Sequence, residues 1–162
     1  MSVATVRAAV KSWLSGTTGL ANVYLDQPTV IENSAFEGAS GFGPVAFVHI
    51  EHFSETRIGL PAGAGLKEVT YDVGVVLIVR HIIQPDETGH DEWVADSDAA
   101  IDHLRDRIRA DFTFGTAGAV VWQAGEDMND IQVTLDLPKF EGSIVEHWIL
   151  VQFKVQEIVN PV

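Results

Sequence analysis

The sequence predicts an α+β domain: a mainly antiparallel β-sheet with two α-helices packed on one face and a long projecting β-hairpin. Three observations predict it. Two unusually long β-type segments, residues 66–83 (LKEVTYDVGVVLIVRHII) and 143–159 (SIVEHWILVQFKVQEIV), dominate the chain. Two amphipathic stretches repeat at the helical period. The resulting order is helix, hairpin, helix, then three strands, with no linker, internal repeat or low-complexity tract, so residues 1–162 are read as one domain.

The first helix is expected over residues 2–15. Val3, Val6, Val10, Trp13 and Leu14 share one face, Arg7 and Lys11 lie opposite, and Gly16 and Gly19 end it. Residues 21–25 (ANVYL) form a short strand before Pro28. Residues 26–43 are rich in Gly and Pro with weak periodicity, which predicts an exposed loop.

Residues 44–56 (PVAFVHIEHFSET) are the first arm of the hairpin, and RIGLPAGAG is its tip. The apolar Ile58 and Leu60 in that tip have no local partner. In the second arm, Lys67, Val69, Tyr71, Val73, Val75, Leu77 and Val79 share one face. Glu68, Thr70, Asp72 and Gly74 share the other, which then becomes apolar with Val76 and Ile78. The arm therefore changes from one-sided to two-sided burial at Gly74, where a bulge or bend is expected.

Residues 84–95 are expected as an acidic loop containing Trp93. A helix capped by Asp96 or Ser97 follows, with Ile101, Leu104 and Ile108 on its buried face and Arg105, Arg107 and Arg109 at its end, as the helix dipole favours. Residues 118–124 (GAVVWQA) are a strand, and the acidic turn GEDMND follows. Ile131, Val133, Leu135 and Leu137 then alternate with polar residues as a half-buried strand. LPKFEG is a turn, and residues 143–159 close the sheet.

A strand rises about 3.3 Å per residue, so each long segment spans roughly 55 Å. A compact chain of this length is only roughly 40 Å across. Such strands either bend or project towards neighbouring subunits. The chain therefore reads as an assembly component rather than an enzyme.

The composition narrows the remaining classes. The formal charge is −13, which argues against nucleic-acid binding through a broad basic face. There is no cysteine, so disulfides, thiolate metal sites and cysteine nucleophiles are excluded. No apolar run is long enough for a membrane span, and the first residues lack the apolar core of a secretion signal. No GxSxG turn or phosphate-binding glycine pattern occurs. His49, Glu51 and His52 lie close together; with His81, Glu146 or His147 from neighbouring strands they could bind a metal, or they could be ordinary sheet-surface residues. The segment DETGHDE reads as a solvated loop, and no cofactor is expected.

The organisation resembles the tail terminator and tail-completion proteins of long-tailed bacteriophages, especially those of actinobacterial hosts. The likeness rests on VATVRAAVKSWL, YDVGVVLIVRH, DAAIDHLRDRIRAD after an acidic loop, and the closing EHWILVQFKVQEIV. It implies a structural virion protein without catalytic or metal-binding residues. Such a protein forms a ring, commonly a hexamer, on the head-proximal end of the tail tube. The ring ends tube polymerisation and meets the head–tail connector, and DNA only passes through its channel. The implied partners are further copies of the chain, the tube protein and the connector protein, with no membrane.

Within that picture, physical reasoning assigns Arg57, Ile58, Leu60, Trp93, Gln156 and Ile158 to subunit contacts, and Asp86, Glu87, Asp91 and Glu92 to a DNA-repelling channel wall. The competing readings are another tail or neck component, such as a tube or connector subunit, and a small α+β enzyme or ligand-binding oligomer.

Overall fold

A computed structural model describes residues 3–29, 31–38, 41–58, 66–83, 91–111 and 131–159. The fold is α+β, with two helices and a mostly antiparallel, mixed sheet. Helix α1 (Val3–Leu14) leads into strand β1 (Asn22–Tyr24), a 3-10 turn (Asn33–Phe36) and two two-residue strands, β2 (Glu37–Gly38) and β3 (Gly41–Phe42). The hairpin strands β4 (Val45–Ile58) and β5 (Leu66–Ile82) follow, then α2 (Asp91–Ala110), β6 (Ile131–Leu135), β7 (Lys139–Glu141) and β8 (Ile144–Val159).

The two long segments are the centre of the sheet. Its order is β1-β4-β5-β8-β6, with β7 also pairing β8. β5 and β8 are antiparallel along almost their whole length, from Lys67↔Val159 to Ile82↔Ile144. β4 and β5 form the expected hairpin, in register from Val45↔Ile78 to Ile58↔Leu66. β1 is the parallel exception, pairing Asn22–Tyr24 with Val45–Phe47.

Alternation along β5 sorts the core into two layers. Val69, Tyr71, Val73, Val75, Leu77 and Val79 are buried with Val6, Val10, Trp13 and Leu14 of α1 and with Ala100, Leu104 and Ile108 of α2. Both helices therefore cover one face of the sheet. On the opposite face, Ile78, with Val76 partly buried beside it, joins Phe36, Val45 and Phe47 in a smaller core. One face of β5 is buried along its length and the other only beyond Gly74, which is the changeover read from the sequence.

The bulge expected at Gly74 falls elsewhere. Gly74 keeps regular register with His49 on one side and Gln152 on the other. The extra residue is Glu51 on β4, since Ile50 pairs with Val73 and His52 with Asp72. The glycine instead serves close packing: a Cβ there would stand 3.2 Å from the Leu150 side chain.

Residues 26–43 differ from the exposed loop expected of them. Their 3-10 turn buries Phe36 fully under the sheet. Arg80 fastens this segment down. Its guanidinium lies 4.3 Å from the Phe36 ring centre, donates to Asn33 Oδ1 at 2.8 Å and to the Ile31 carbonyl at 3.3 Å, and pairs with Glu146 at 2.7 Å.

Helix α2 starts earlier than the acidic composition suggested. Asp91, Glu92, Trp93, Val94 and Ala95 are helical, so neither Asp96 nor Ser97 is its cap. Acids in a first turn suit the positive end of the helix dipole, which removes the reason to read them as loop. LPKFEG also differs from the turn expected of it, because it contains β7 against β8. The expected strand 118–124, with Trp122, and the acids of GEDMND lie outside the described residues. Among the described residues, no helix is long and apolar enough to cross a membrane.

Candidate assembly surface

The flanking strands stop well short of the central three. β1 reaches only Phe47 of β4, β6 covers only Ile149–Phe153 of β8, and β7 only Ile144–Glu146. Beyond them β4, β5 and β8 continue as a three-stranded ribbon. Among the described residues, its outer edges from Val48 to Ile58 and from Lys154 to Val159 have no strand beside them. Open edges present unpaired N–H and C=O groups that can accept another chain. Residues 51–57 are all exposed.

The bulge decides what the β4 edge displays. Plain alternation predicts His49 and Glu51 on one side of the strand and His52 on the other. The extra residue places His52 opposite Asp72 and His49 opposite Gly74, so both histidines share the face away from the helices. Glu51 reaches the same face, where the Gln152 side-chain amide donates to its carboxylate at 3.0 Å. Among the described residues, no group of three or more His, Asp or Glu side chains is placed to hold a metal.

The helix-side face of the ribbon has a different chemistry. The Tyr71 hydroxyl donates to Glu157 Oε2 at 3.3 Å, and Glu157 is almost fully buried. Burial, followed by the charge and hydrogen bond of Glu157 and the charge of Glu55, pushes the Tyr71 phenol up to about 12. Glu55 also pairs with Lys67 at 2.5 Å. Phe53 lies over Tyr71, with ring centres 6.1 Å apart, and is half exposed.

The opposite edge of the sheet is built around His147. This residue is 7 % exposed. Its Nε2 donates to the Asp136 carbonyl at 2.8 Å, so Nδ1 meets the Ser97 hydroxyl at 3.0 Å as an acceptor in the neutral ring. The single Ser97 proton serves either that nitrogen or the Trp93 carbonyl, 2.9 Å away. Trp93 packs edge-on against His147 and Phe140, at 5.6 and 6.4 Å between ring centres. Trp93 thus docks the start of α2 onto β7 and β8.

The residues named from the sequence fall into three groups. Arg57 is exposed on the β4 edge and Gln156 is half-buried on β8, both on the ribbon. Ile58 and Ile158 belong to the same ribbon by register. Trp93, Asp91 and Glu92 are in α2, not in a loop, and Glu92 lies 4.0 Å from His81 Nε2 while Asp96 lies 3.2 Å from Nδ1. Leu60, Asp86 and Glu87 lie outside the described residues.

Sequence reasoning overlooked Phe53, Phe140 and Arg80. An arginine directly after the apolar run 75–79 was a usable signal, because a buried guanidinium needs an anion and further acceptors.

A shallow cleft of about 160 Å³ lies between the α1–β1 connection and α2, lined by Gly19, Pro44, Val79, Asp96, Ala100 and His103 among others. It is smaller than the roughly 300–1,000 Å³ usual for small-molecule sites. No protein-family model matches the chain, and none of the curated proteins matches it.

Proposed function

We propose that this chain is a structural component of a long-tailed phage. It forms a ring, commonly of six copies, that caps the head-proximal end of the tail tube, ends tube polymerisation and joins the tail to the head connector. In this reading it works in the virion and has no catalytic role. The observation that carries the reading is the three-stranded ribbon. Its strands run on beyond the flanking β1, β6 and β7, and both of its edges are open among the described residues.

Open edges of this length are an aggregation hazard unless another subunit covers them. A closed ring covers each edge with a neighbour and leaves none over. The ribbon end is the part of the hairpin that projects towards that neighbour. Arg57, Ile58 and Gln156 take part in the contact, together with Leu60 and Ile158. Trp93 contributes by bracing the opposite edge from beneath.

The channel wall is acidic. Asp86, Glu87, Asp91 and Glu92 repel the phosphates of a passing genome, which keeps the pore from gripping it.

The direct test is imaging the tagged chain on isolated tail tubes. A ring at one end only, with an open pore, is the expected result. Copies along the whole tube would identify a tube subunit, and binding only to isolated connectors would identify a neck component.

A further inference from the structure

The first two turns of α2 are held to the sheet differently from the rest of the helix. From Ala100 onwards the anchor is apolar, with Ala100, Leu104 and Ile108 in the main core. Before that point Glu92, Val94, Ala95 and Asp96 are exposed, and Trp93 is only partly buried. Trp93 also keeps its indole N–H buried without a hydrogen-bond partner among the described residues, a cost that undocking into water removes. The remaining hold is polar, and it comes from two histidines of the sheet. His147 of β8 meets the Ser97 hydroxyl, and His81 of β5 stands between Glu92 and Asp96. Both lie on the helix side, because His147 is opposite Val79 and His81 is two positions beyond it.

The two histidines are not equivalent. His147 faces a carbonyl and a hydroxyl, which one neutral tautomer satisfies. His81 has a carboxylate at each ring nitrogen: Asp96 Oδ2 is 3.2 Å from Nδ1, and Glu92 Oε2 is 4.0 Å from Nε2. A neutral imidazole carries one N–H and an imidazolium carries two, so only the charged ring has a proton for both acids. Glu92 and Asp96 are also one turn apart on α2, where like charges repel, and a cation between them offsets that repulsion. On this side of the sheet the described titratable groups around His81 are Glu92, Asp96 and His103 of α2 and His147 of β8. β7 contributes Phe140 there, while Arg80, Lys139, Glu141 and Glu146 belong to the opposite face.

We infer that His81 is an acid-closed latch on the start of α2. With both nitrogens protonated it ties down Glu92 and Asp96 and holds residues 91–97 against β5 and β8. On losing one proton it releases one acid, and this segment lifts while the apolar part of α2 stays in place. Imidazole is the side chain that ordinarily changes charge between about pH 5 and 8. Stability given by a cationic histidine is present at low pH and is lost as pH rises through the titration of the folded ring. Below about pH 4 the two acids are themselves protonated, so the latch also opens from that side. It is closed in a mildly acidic window.

The experiment is amide hydrogen exchange of the full chain at pH 6 and pH 8, read by mass spectrometry and corrected for the intrinsic pH dependence of exchange. The amides of residues 95–98, which carry helical hydrogen bonds, are expected to be about three- to tenfold better protected at pH 6, with residues 100–110 unchanged. His81→Gln cannot take up a second proton and is expected to show the pH 8 level at both pH values. Glu92→Gln/Asp96→Asn alters only exposed side chains and is expected to remove the step as well, which keeps the test open if the His81 variant does not fold. Equal protection of the wild-type chain at both pH values overturns the latch. So does a step that persists in His81→Gln or in the double variant.

Discussion

Arg80 and Glu146 face each other across the β5–β8 ladder, with Nη2 2.7 Å from Oε2. The same carboxylate accepts from Trp148 Nε1 at 2.6 Å through its other oxygen. The same guanidinium holds Asn33 and the Ile31 carbonyl. One ion pair therefore joins the two longest strands to the segment that covers their outer face. Both side chains are largely shielded, at 11 % and 22 % exposed, so the pair keeps more of its strength than a surface ion pair does.

Arg80→Ala leaves Glu146 without its cation and releases the 31–36 segment. The expected loss is about 2–3 kcal/mol, read as a lowered denaturation midpoint. Arg80→Lys recovers only part of it, because an ammonium lacks the fork that reaches Asn33, Ile31 and Glu146 together. A wild-type midpoint in Arg80→Ala would contradict this assignment.

The pair also sets a pH dependence. Burial alone pushes the Glu146 carboxyl up. Hydrogen bonds from Trp148 and Arg80, with the charges of Arg80 and Lys139, outweigh that and hold it below its ordinary value. A carboxyl lowered by folding stabilises the fold above its unfolded value, and that contribution disappears as pH falls through the folded value. Glu146→Gln should therefore flatten the acid limb of stability against pH. A limb unchanged in Glu146→Gln would assign the acid sensitivity to other groups.

Tyr71 governs the alkaline limb. Its phenol is pushed up to about 12 from an ordinary 10. Folding favours the neutral form, so this contribution is intact below pH 10 and is lost as pH rises towards 12. Phenolate absorbance in a Tyr24→Phe background should show one tyrosine titrating late, near 12. Tyr71→Phe should weaken the fall in melting temperature over that window.

Many of these positions were legible in the sequence, and the exceptions share a physical cause. The face of α1 and the alternation along β5 are local periodicities, and both appear in the structure, with Val6, Val10, Trp13 and Leu14 and the apolar residues 69–79 of one β5 face buried and Val3 and Lys67 partly so. The change at Gly74 was visible because Val76 and Ile78 break a polar face. The Glu51 bulge was not visible, because a register shift belongs to a pair of strands and leaves no mark on one of them. The start of α2 was obscured for a similar reason: the Trp93 contacts with His147 and Phe140 are tertiary, and the acids around it look like loop in isolation. Phe36 read as loop because the residues that bury it, Val45, Phe47 and Ile78 with Arg80 over the ring, are distant in the chain and meet it only in the fold.

His147 carries a prediction about that same junction. Its two ring nitrogens join Asp136 of the β6–β7 connection to Ser97 of α2. His147→Ala should cost about 2–4 kcal/mol through lost bonds and an unfilled volume, and should shift the fluorescence of the adjacent Trp93 to the red. Unchanged fluorescence would mean that Trp93 does not dock there.

Gly38 tests the closeness of the covering segment. A Cβ at this position would stand 2.7 Å from the Ala21 Cα, which is backbone and cannot swing aside. Gly38→Ala should destabilise by about 1–3 kcal/mol, as overpacking does. A neutral effect in thermal melts would show that residues 31–38 lie further from β1 than described.

The most direct test of the proposed function is the length of tails assembled without this chain, measured by electron microscopy of particles in which its gene is deleted. The ring reading predicts tube lengths that are uncontrolled, extending far beyond the wild-type value. Tails of normal, uniform length would contradict it.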